Sequence, residues 1–191
     1  MKTIAIDLDD TLNNFEETLQ KTVFRHDGAY GFSESIFEDY LARLRSHAPE
    51  DNEPLLSTEY SFFKYQIHHQ CYQLATARPD GVEFMRGLKR DGWRIVICTY
   101  RDLRRANDCT RKWLHDNGIP FDQLFMAWNK IVFCRLWQIE YLVDDDAFNI
   151  IHGENYGVKV FYPALERHRD LPPNRARAFH SFDEIASWIQ G

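Results

Sequence analysis

Two aspartates, Asp7 and Asp9, stand two residues apart directly after the short apolar run at residues 3–6. Carboxylates crowded in this way repel each other unless a cation lies between them, and Mg²⁺ with its preference for oxygen ligands is the usual cation. With Thr11 they form a D-x-D-x-T pattern, which is short enough to recur by chance. The pair therefore predicts metal-assisted chemistry only if further polar groups converge on it.

Three further polar groups follow apolar runs. Thr99 ends the run I-V-I-C-T, Lys130 follows F-M-A-W-N, and Asp144 and Asp145 end Y-L-V-D-D. Taken singly, they could be a strand-end hydroxyl, a surface lysine and a helix N-cap. In this order they suit a site in which carboxylates hold Mg²⁺ while Thr99 and Lys130 contact phosphoryl oxygens. Together they predict an active site for phosphoryl transfer.

An α/β fold would bring these groups together. The pattern predicts strands at Thr3–Ile6, Arg94–Thr99, 123–127, 140–144 and 159–161, and helices at 80–91, 102–117, 131–137 and 182–189. This alternation predicts a parallel sheet with right-handed crossovers. Since the carboxyl ends of parallel strands meet at one edge, the polar groups that follow the strands should lie side by side there.

A helical stretch interrupts this alternation. Phe15, Leu19 and Val23 recur at i+4 spacing, and later helical patterns predict three helices with breaks at residues 28–31 and 49–54. We therefore predict a catalytic core of residues 1–13 and 78–191 and a small helical cap of residues 14–77, inserted after the first strand. Such a cap would exclude water from the site and restrict access to small substrates.

The composition and charge of the chain disfavour some classes of partner. The chain has 191 residues, 44% of them hydrophobic, and a net charge of −6, which disfavours a nucleic acid polymer as partner. No run approaches the roughly 18 apolar residues of a membrane span, and no signal-peptide pattern follows Met1, so we predict a cytoplasmic protein without a membrane partner. The four cysteines lack C-x-x-C spacing and are predicted to be reduced core residues. The oligomeric state cannot be predicted.

The order of these motifs resembles that of the haloacid dehalogenase (HAD) superfamily across the predicted core. The resemblance implies a Rossmann-like sheet with helices on both faces, and an Asp7 nucleophile that forms an aspartyl phosphate. It also implies that Asp9 protonates the leaving oxygen and then activates water. An acid at position 9 favours a phosphatase or phosphomutase over the dehalogenases and ATPases of the superfamily.

The same resemblance implies a bound Mg²⁺. Its ligands would be the Asp7 carboxylate, the main-chain carbonyl of Asp9 and Asp145, with Asp144 as a neighbour. Because three acids are consecutive at 144–146, the choice between Asp144 and Asp145 is open, although Asn149 four places beyond Asp145 favours Asp145.

Within the superfamily the chain looks most like the 5′(3′)-deoxyribonucleotidases, which share the early helical cap, an aromatic residue eight places beyond the nucleophile, here Phe15, and the D-D pair. The likeness implies a Mg²⁺-dependent phosphatase of a small phosphate monoester, a 5′-deoxyribonucleotide, with Phe15 stacked on the base. Further candidates for base contact are Tyr60, Phe62, Phe63 and Tyr65. Arg101 would either contact a substrate anion or be structural.

The sequence departs from the nucleotidases at three positions. Asp10 and Thr11 stand where those enzymes usually have Gly and Val, and Asp146 stands where a basic residue is expected. The charge of Asp146 weighs against a nucleotide more than against phosphatase chemistry. A sugar-phosphate phosphatase or phosphomutase of the same superfamily is therefore an alternative.

A non-catalytic phosphate-binding or phosphoacceptor domain is the other alternative. Receiver domains carry their lysine after the later aspartate and need no inserted lid, whereas here Lys130 precedes Asp144. A scaffold that has lost turnover would be expected to lack a core residue, and none is missing here. Both observations favour the enzyme.

Overall fold

The computed structural model describes residues 1–24 and 67–190, together with residues 38 and 42. In chain order its helices and strands are β1 Thr3–Ile6, α1 Phe15–Phe24, α2 His68–Leu74, α3 Pro79–Arg90, β2 Arg94–Thr99, α4 Leu103–Asp116, β3 Gln123–Met126, α5 Lys130–Leu136, β4 Tyr141–Val143, α6 Ala147–His152, β5 Lys159–Pro163, β6 Arg177–Phe179 and α7 Phe182–Gln190. Short 3₁₀ turns lie at Gly153–Tyr156 and Glu166–His168. The predicted helices between residues 25 and 66 lie outside the described residues, as do Tyr60, Phe62, Phe63 and Tyr65.

The chain divides into two compact units. Residues Met1–Asn14 and Thr76–Gly191 form one unit, and residues Phe15–Ala75 form the other. In the second unit α1 and α2 contact each other through the rings of Phe15 and Tyr72. The role of residues 14–77 as a cap stays a prediction.

The first unit is built on a six-stranded parallel sheet with the order β3-β2-β1-β4-β5-β6. At its centre, Ile6 of β1 pairs with Ile97 of β2 on one side and with Val143 of β4 on the other. A strand covered on both faces reads as a continuous apolar run, which is why T-I-A-I was recognisable without alternation. The predicted α/β class with a parallel sheet is confirmed.

Helices cover both faces of this sheet, as the alternating side chains of β1 show. Ile4 and Ile6 pack in one buried cluster with residues of α3, α4 and α7. Ala5, which points to the other face, packs in a second cluster with residues of α5 and α6. The face-by-face division follows from the two-residue period of a strand. No helix in the part of the chain that the structure describes is long and apolar enough to cross a membrane.

Two elements were not predicted. One is β6, a three-residue strand at the sheet edge, which is too short to show a period. The other is the six-residue helix α6, whose N-cap Asp146 accepts hydrogen bonds from the backbone N–H groups of Phe148 and Asn149 at 2.8 and 3.2 Å. Asp146 is therefore a helix cap, which is the ordinary explanation for an acid at this place.

The side chain of Asp80 joins the start of α3 to the start of α7. Its carboxylate accepts a hydrogen bond from the Phe182 N–H at 3.0 Å and another from Arg78 at 3.1 Å. Partial burial acts to raise the pKa of Asp80, but the hydrogen bonds from Phe182 and Arg78 outweigh it and lower the pKa below the ordinary value of 3.8. The charged form of Asp80 therefore stabilises the folded state.

We expect Asp80→Asn to lower the free energy of unfolding at neutral pH by about 1 kcal/mol, a figure that allows for solvent screening of a partly exposed group. Because the folded-state pKa lies below the unfolded-state pKa, this stabilisation is fully present above about pH 4 and is lost as the pH falls through the folded-state pKa. Urea unfolding at pH 7 and at pH 3 measures the difference, with Asp108→Asn on the exposed side of α4 as control. An equal loss of unfolding free energy at both pH values would contradict the conclusion that the charged form of Asp80 stabilises the fold.

Candidate active site

The predicted polar residues do meet at the carboxyl edge of the sheet. Asp7 follows β1, Thr99 ends β2, Lys130 begins α5 after β3, and Asp144 follows β4. The Asp7 N–H donates to the carbonyl of Val143 at 2.9 Å, so the ladder of the sheet itself fixes the backbone of Asp7. Because β1 lies between β2 and β4, Asp7 stands at the middle of the group.

Lys130 places a buried charge between two carboxylates. Its Nζ lies 3.0 Å from Oδ1 of Asp7 and 3.0 Å from Oδ2 of Asp144. Lys130 and Asp7 are each 4% exposed, and Asp144 is fully buried. Removal of Lys130 would leave two carboxylates without their cation and out of contact with water. The two aspartates therefore depend on Lys130.

Burial dominates the ionisation of this group. It raises the pKa of Asp7 well above its usual range, against the attraction of Lys130 and with the help of the neighbouring acid Asp144. It raises the pKa of Asp144 to about 6, again against Lys130. For Lys130, burial acts to lower the pKa, but the carboxylates of Asp144 and Asp7 outweigh burial and raise it. The lysine is thus held as an ammonium ion at neutral pH.

Two hydrogen bonds from residues shortly after Asp144 in the sequence also fix its side chain. The backbone N–H of Asp146 donates to Oδ1 at 3.0 Å, and the side-chain amide of Asn149 donates to Oδ2 at 3.1 Å. Asn149 thus supports Asp144, and its spacing no longer favours Asp145 as the metal ligand. The choice between the two acids stays open.

Asp145 is held by residues that the sequence analysis did not single out. Arg167 Nη2 lies 2.5 Å from Asp145 Oδ2 and 3.4 Å from Asp10 Oδ2. The ring of His168 lies between two carbonyl oxygens, with Nε2 2.8 Å from that of Asp145 and Nδ1 2.7 Å from that of Pro163. Arg167 and His168 lie in the 3₁₀ turn after β5, where no motif marks them. Arg167 adds a positive charge beside the acids that was not expected from the sequence.

The acids could hold a divalent cation. Asp7, Asp144 and Asp145 each offer one carboxylate oxygen, and these oxygens lie within 4.8 Å of one another. Although Lys130 is 3.0 Å away, its contact lacks hydrogen-bond geometry, so the buried Oδ1 of Asp7 accepts no hydrogen bond from the described residues. Clustered carboxylate oxygens are the donors that Mg²⁺ prefers. The residues present therefore fit the predicted ion.

Thr99 offers a hydroxyl at the same edge. Its side chain is 1% exposed, and its Oγ1 has no hydrogen-bond partner among the described residues. A buried polar group without a partner costs about 1–3 kcal/mol, so such groups usually await a ligand or an ordered water. A phosphoryl oxygen would satisfy this hydroxyl.

Arg101 contacts Asp9. Its Nε and Nη2 lie 2.9 and 2.5 Å from the two carboxylate oxygens of Asp9, and its Nη1 donates to Thr110 Oγ1 at 2.9 Å. The Arg101 side chain is fully buried, whereas that of Asp9 is 21% exposed. A two-point pair of this kind fixes the orientation of the carboxylate. The predicted contact of Arg101 with a substrate anion stays a prediction.

Phe15 lies in the second unit, at the start of α1. Its ring stacks on Tyr72 with a centroid distance of 5.4 Å and lies 4.6 Å from the ring of His68. The side chain is 6% exposed, which is typical of a packing residue. Its predicted contact with a base stays a prediction.

Comparison with known proteins extends the description of the fold. No family model matches the chain, and no similar curated protein was found. Solved structures do match it over nearly its whole length. A HAD-hydrolase from Bacillus subtilis, bound to magnesium, has a TM-score of 0.71 at 13% identity, with 100% of this chain and 99% of that chain covered.

Two other matches have the same character. A haloacid dehalogenase-like hydrolase from Streptococcus pneumoniae has a TM-score of 0.67 at 14% identity, with 100% of this chain and 99% of that chain covered. A D,D-heptose 1,7-bisphosphate phosphatase from B. bronchiseptica, complexed with magnesium and phosphate, has a TM-score of 0.56 at 14% identity, with coverage of 100% and 98%. The chain therefore has the Rossmann-like α/β fold of the HAD-superfamily hydrolases. The identities are low, so the likeness concerns the fold.

Proposed function

We propose that this protein is a Mg²⁺-dependent phosphatase of the HAD type that hydrolyses small phosphate monoesters, with a 5′-deoxyribonucleotide as substrate. The observation that carries the proposal is the buried contact of Lys130 with Asp7 and Asp144, next to Asp145, at the carboxyl edge of a sheet with the HAD fold. A nucleophilic carboxylate, a fixed ammonium and further acids in one place suit phosphoryl transfer.

In the first step, an Asp7 carboxylate oxygen attacks phosphorus. The new O–P bond forms an aspartyl phosphate while the bond from phosphorus to the leaving oxygen breaks, and Asp9 donates a proton to that oxygen. In the second step, Asp9 accepts a proton from water, whose oxygen attacks phosphorus and releases Asp7. The enzyme returns to its starting state, and inorganic phosphate and an alcohol are the products.

Lys130 and Thr99 would bind the transferred group. The ammonium of Lys130 and the unpartnered hydroxyl of Thr99 are both donors, and phosphoryl oxygens are acceptors. The carboxylate of Asp7, that of Asp144 or Asp145, and the main-chain carbonyl of Asp9 would hold Mg²⁺, which would supply positive charge to neutralise the phosphoryl group. The dependence on Mg²⁺ is thus part of the proposal.

A sugar-phosphate phosphatase is the second candidate. It is supported by the fold likeness to a D,D-heptose 1,7-bisphosphate phosphatase. The catalytic residues would be the same, because the reacting group is the same phosphate monoester. The two candidates differ only in the leaving alcohol.

Phosphate release tests the proposal. The purified protein is incubated with deoxyribonucleoside and ribonucleoside monophosphates, sugar phosphates and an aryl phosphate, in Mg²⁺ and in EDTA, and Mg²⁺ is added back to the EDTA samples. Selective, Mg²⁺-dependent hydrolysis of deoxyribonucleotides is expected. A preference for sugar phosphates would contradict the proposed substrate but not the proposed reaction. If no ester releases phosphate in a Mg²⁺-dependent way, the proposal that the protein is a phosphatase is wrong.

Arg101 is expected to act by positioning Asp9. We expect Arg101→Met to lower kcat by about 10²-fold, the usual size of a general acid–base contribution, with KM nearly unchanged. Arg101→Lys keeps the charge but not the two-point geometry and should recover only part of kcat. Steady-state kinetics with the best substrate measures both constants. A raised KM at unchanged kcat would instead make Arg101 a substrate contact.

A further inference from the structure

Two aromatic rings stand exposed beside the candidate active site. Trp128 is 51% exposed and Phe148 is 41% exposed, although large aromatic side chains are usually buried. Their rings are nearly parallel, with an interplanar angle of 26° and a centroid distance of 6.4 Å. We refer to Trp128 and Phe148 together as the aromatic pair.

The backbone fixes the aromatic pair next to the phosphate-binding residues. Trp128 lies in the loop after β3, two residues before Lys130, and the preceding residue Ala127 donates its N–H to the carbonyl of Thr99 at 3.1 Å. Phe148 lies in α6 directly before Asn149, whose amide bonds to Asp144. Since Asp144 lies 3.0 Å from Lys130, the same ionic group joins the two elements that carry the rings.

The aromatic pair is held rather than loose. The N–H of Phe148 donates to the N-cap Asp146 at 2.8 Å, and the ring of His152 lies 4.7 Å from the Phe148 ring. Trp128 precedes Asn129, the N-cap of α5, whose side chain accepts from the Val132 N–H at 2.9 Å. Rings that are positioned in advance lose little conformational freedom when a ligand stacks on them.

We propose that the aromatic pair binds a flat aromatic group in the leaving alcohol of the substrate, a nucleobase or another aryl ring. The proposal rests on the proposed phosphatase function and assigns the recognition of the ring to the core unit, in place of the buried Phe15. Stacking on an aromatic platform tolerates any base, because every base offers a π-face. The pair would thus select aromatic phosphate esters without reading a particular base.

A matched pair of substrates tests the proposal. A deoxyribonucleoside 5′-monophosphate and 2-deoxyribose 5-phosphate have the same reacting phosphate and primary alcohol, but only the first carries a base. Trp128→Ala and Phe148→Ala are each expected to lower kcat/KM for the nucleotide about tenfold, through KM, and to leave the sugar phosphate unchanged. Phenyl phosphate forms a third arm, in which an equal loss points to aryl rings in general.

Trp137→Ala is the matched control. Trp137 has the same side chain and a similar exposure of 55%, but it follows the far end of α5 and packs on Phe133. The substitution Trp137→Ala should leave kcat/KM unchanged for both the nucleotide and the sugar phosphate. Equal losses for the nucleotide and the sugar phosphate in Trp128→Ala, or no loss for any aromatic ester, would overturn the proposal.

A binding measurement separates failure of this proposal from failure of the phosphatase. If no ester is hydrolysed, the phosphatase is wrong, and quenching of tryptophan fluorescence by deoxyadenosine monophosphate still tests the aromatic pair. Quenching that is lost in Trp128→Phe and kept in Trp137→Phe would support the pair as a ring-binding site. Quenching that is absent, or that is kept in Trp128→Phe, would overturn it.

Discussion

Asp7→Asn is expected to lower phosphate release by at least about 10³-fold, because the amide cannot attack phosphorus as a carboxylate does. The substitution preserves size and shape at a nearly fully buried position. It also removes one of several crowded negative charges, whose burial and mutual repulsion raise the pKa of Asp7. We therefore expect the variant to fold normally and to be at least as stable as the parent protein without Mg²⁺.

Kinetics and thermal unfolding of Asp7→Asn and of the parent protein are measured on the same preparations. Asp108→Asn, the same chemical change on the exposed side of α4, should retain full activity. Activity retained by Asp7→Asn, with its Mg²⁺ dependence intact, would eliminate Asp7 as the nucleophile. Inactivity with a collapsed melting temperature would contradict the expectation that the fold tolerates the amide.

Lys130→Met should have the largest effect on stability, about 3–5 kcal/mol at neutral pH, because it leaves Asp7 and Asp144 buried without their cation. Its activity should also fall, since the proposed contact of Lys130 with a phosphoryl oxygen would be lost. Burial raises the pKa of Asp144 to about 6 even with the opposing lysine in place. Removing Lys130 should raise that pKa further.

Because the pKa of Asp144 is raised, the loss of stability in Lys130→Met should depend on pH. A carboxyl whose folded-state pKa is raised contributes stability below its unfolded-state pKa and loses it as the pH rises through the folded-state pKa. The stability difference between Lys130→Met and the parent should therefore be large at pH 8 and shrink towards pH 4, as Asp144 becomes protonated in both proteins.

Urea unfolding in EDTA at pH 4, 6 and 8 measures this difference. Lys112→Met, on an exposed ion pair with Asp116 in α4, is the control and should change stability by less than about 1 kcal/mol at every pH. Adding Asp7→Asn and Asp144→Asn to Lys130→Met should restore much of the lost stability. A loss that does not vary with pH, or no recovery in the triple variant, would contradict the buried ionic group.

Much of the fold was predictable because its signals are local. The buried strands β1 and β2 appear as short apolar runs, and their predicted bounds match the structure. The polar residues that end such runs come together because parallel strands share an edge, so Asp7, Thr99, Lys130 and Asp144 could be grouped without coordinates. β6 was missed, since three residues at a sheet edge carry no period.

The rest of the site depends on contacts between distant residues. The pair of Arg101 with Asp9 spans 92 positions, and the contact of Arg167 with Asp145 comes from a 3₁₀ turn after β5. Neither follows from periodicity or motif spacing. The spacing of Asn149 favoured Asp145 as the metal ligand, but the side-chain amide of Asn149 bonds to Asp144, so the choice between the two acids stays open.

The solvent exposure of single aromatic side chains could not be predicted from the sequence either. Phe15 and Trp128 are both aromatic residues near a motif, yet Phe15 is buried between rings of its own unit and Trp128 is half exposed. A helical spacing predicts that a side chain faces a core, whereas a loop residue such as Trp128 has no face to predict. The structure therefore directs the search for substrate contacts to a different residue.

Chemical trapping of the phosphoenzyme tests most directly whether Asp7 carries the phosphoryl group. The protein is mixed with Mg²⁺ and its best phosphate monoester, quenched in acid, treated with borohydride and digested for mass spectrometry. Because borohydride reduces an acyl phosphate to an alcohol, homoserine is expected in place of Asp7, only with substrate, and not in EDTA or in Asp7→Asn. Homoserine at another aspartate, with none at position 7, would contradict the proposed mechanism.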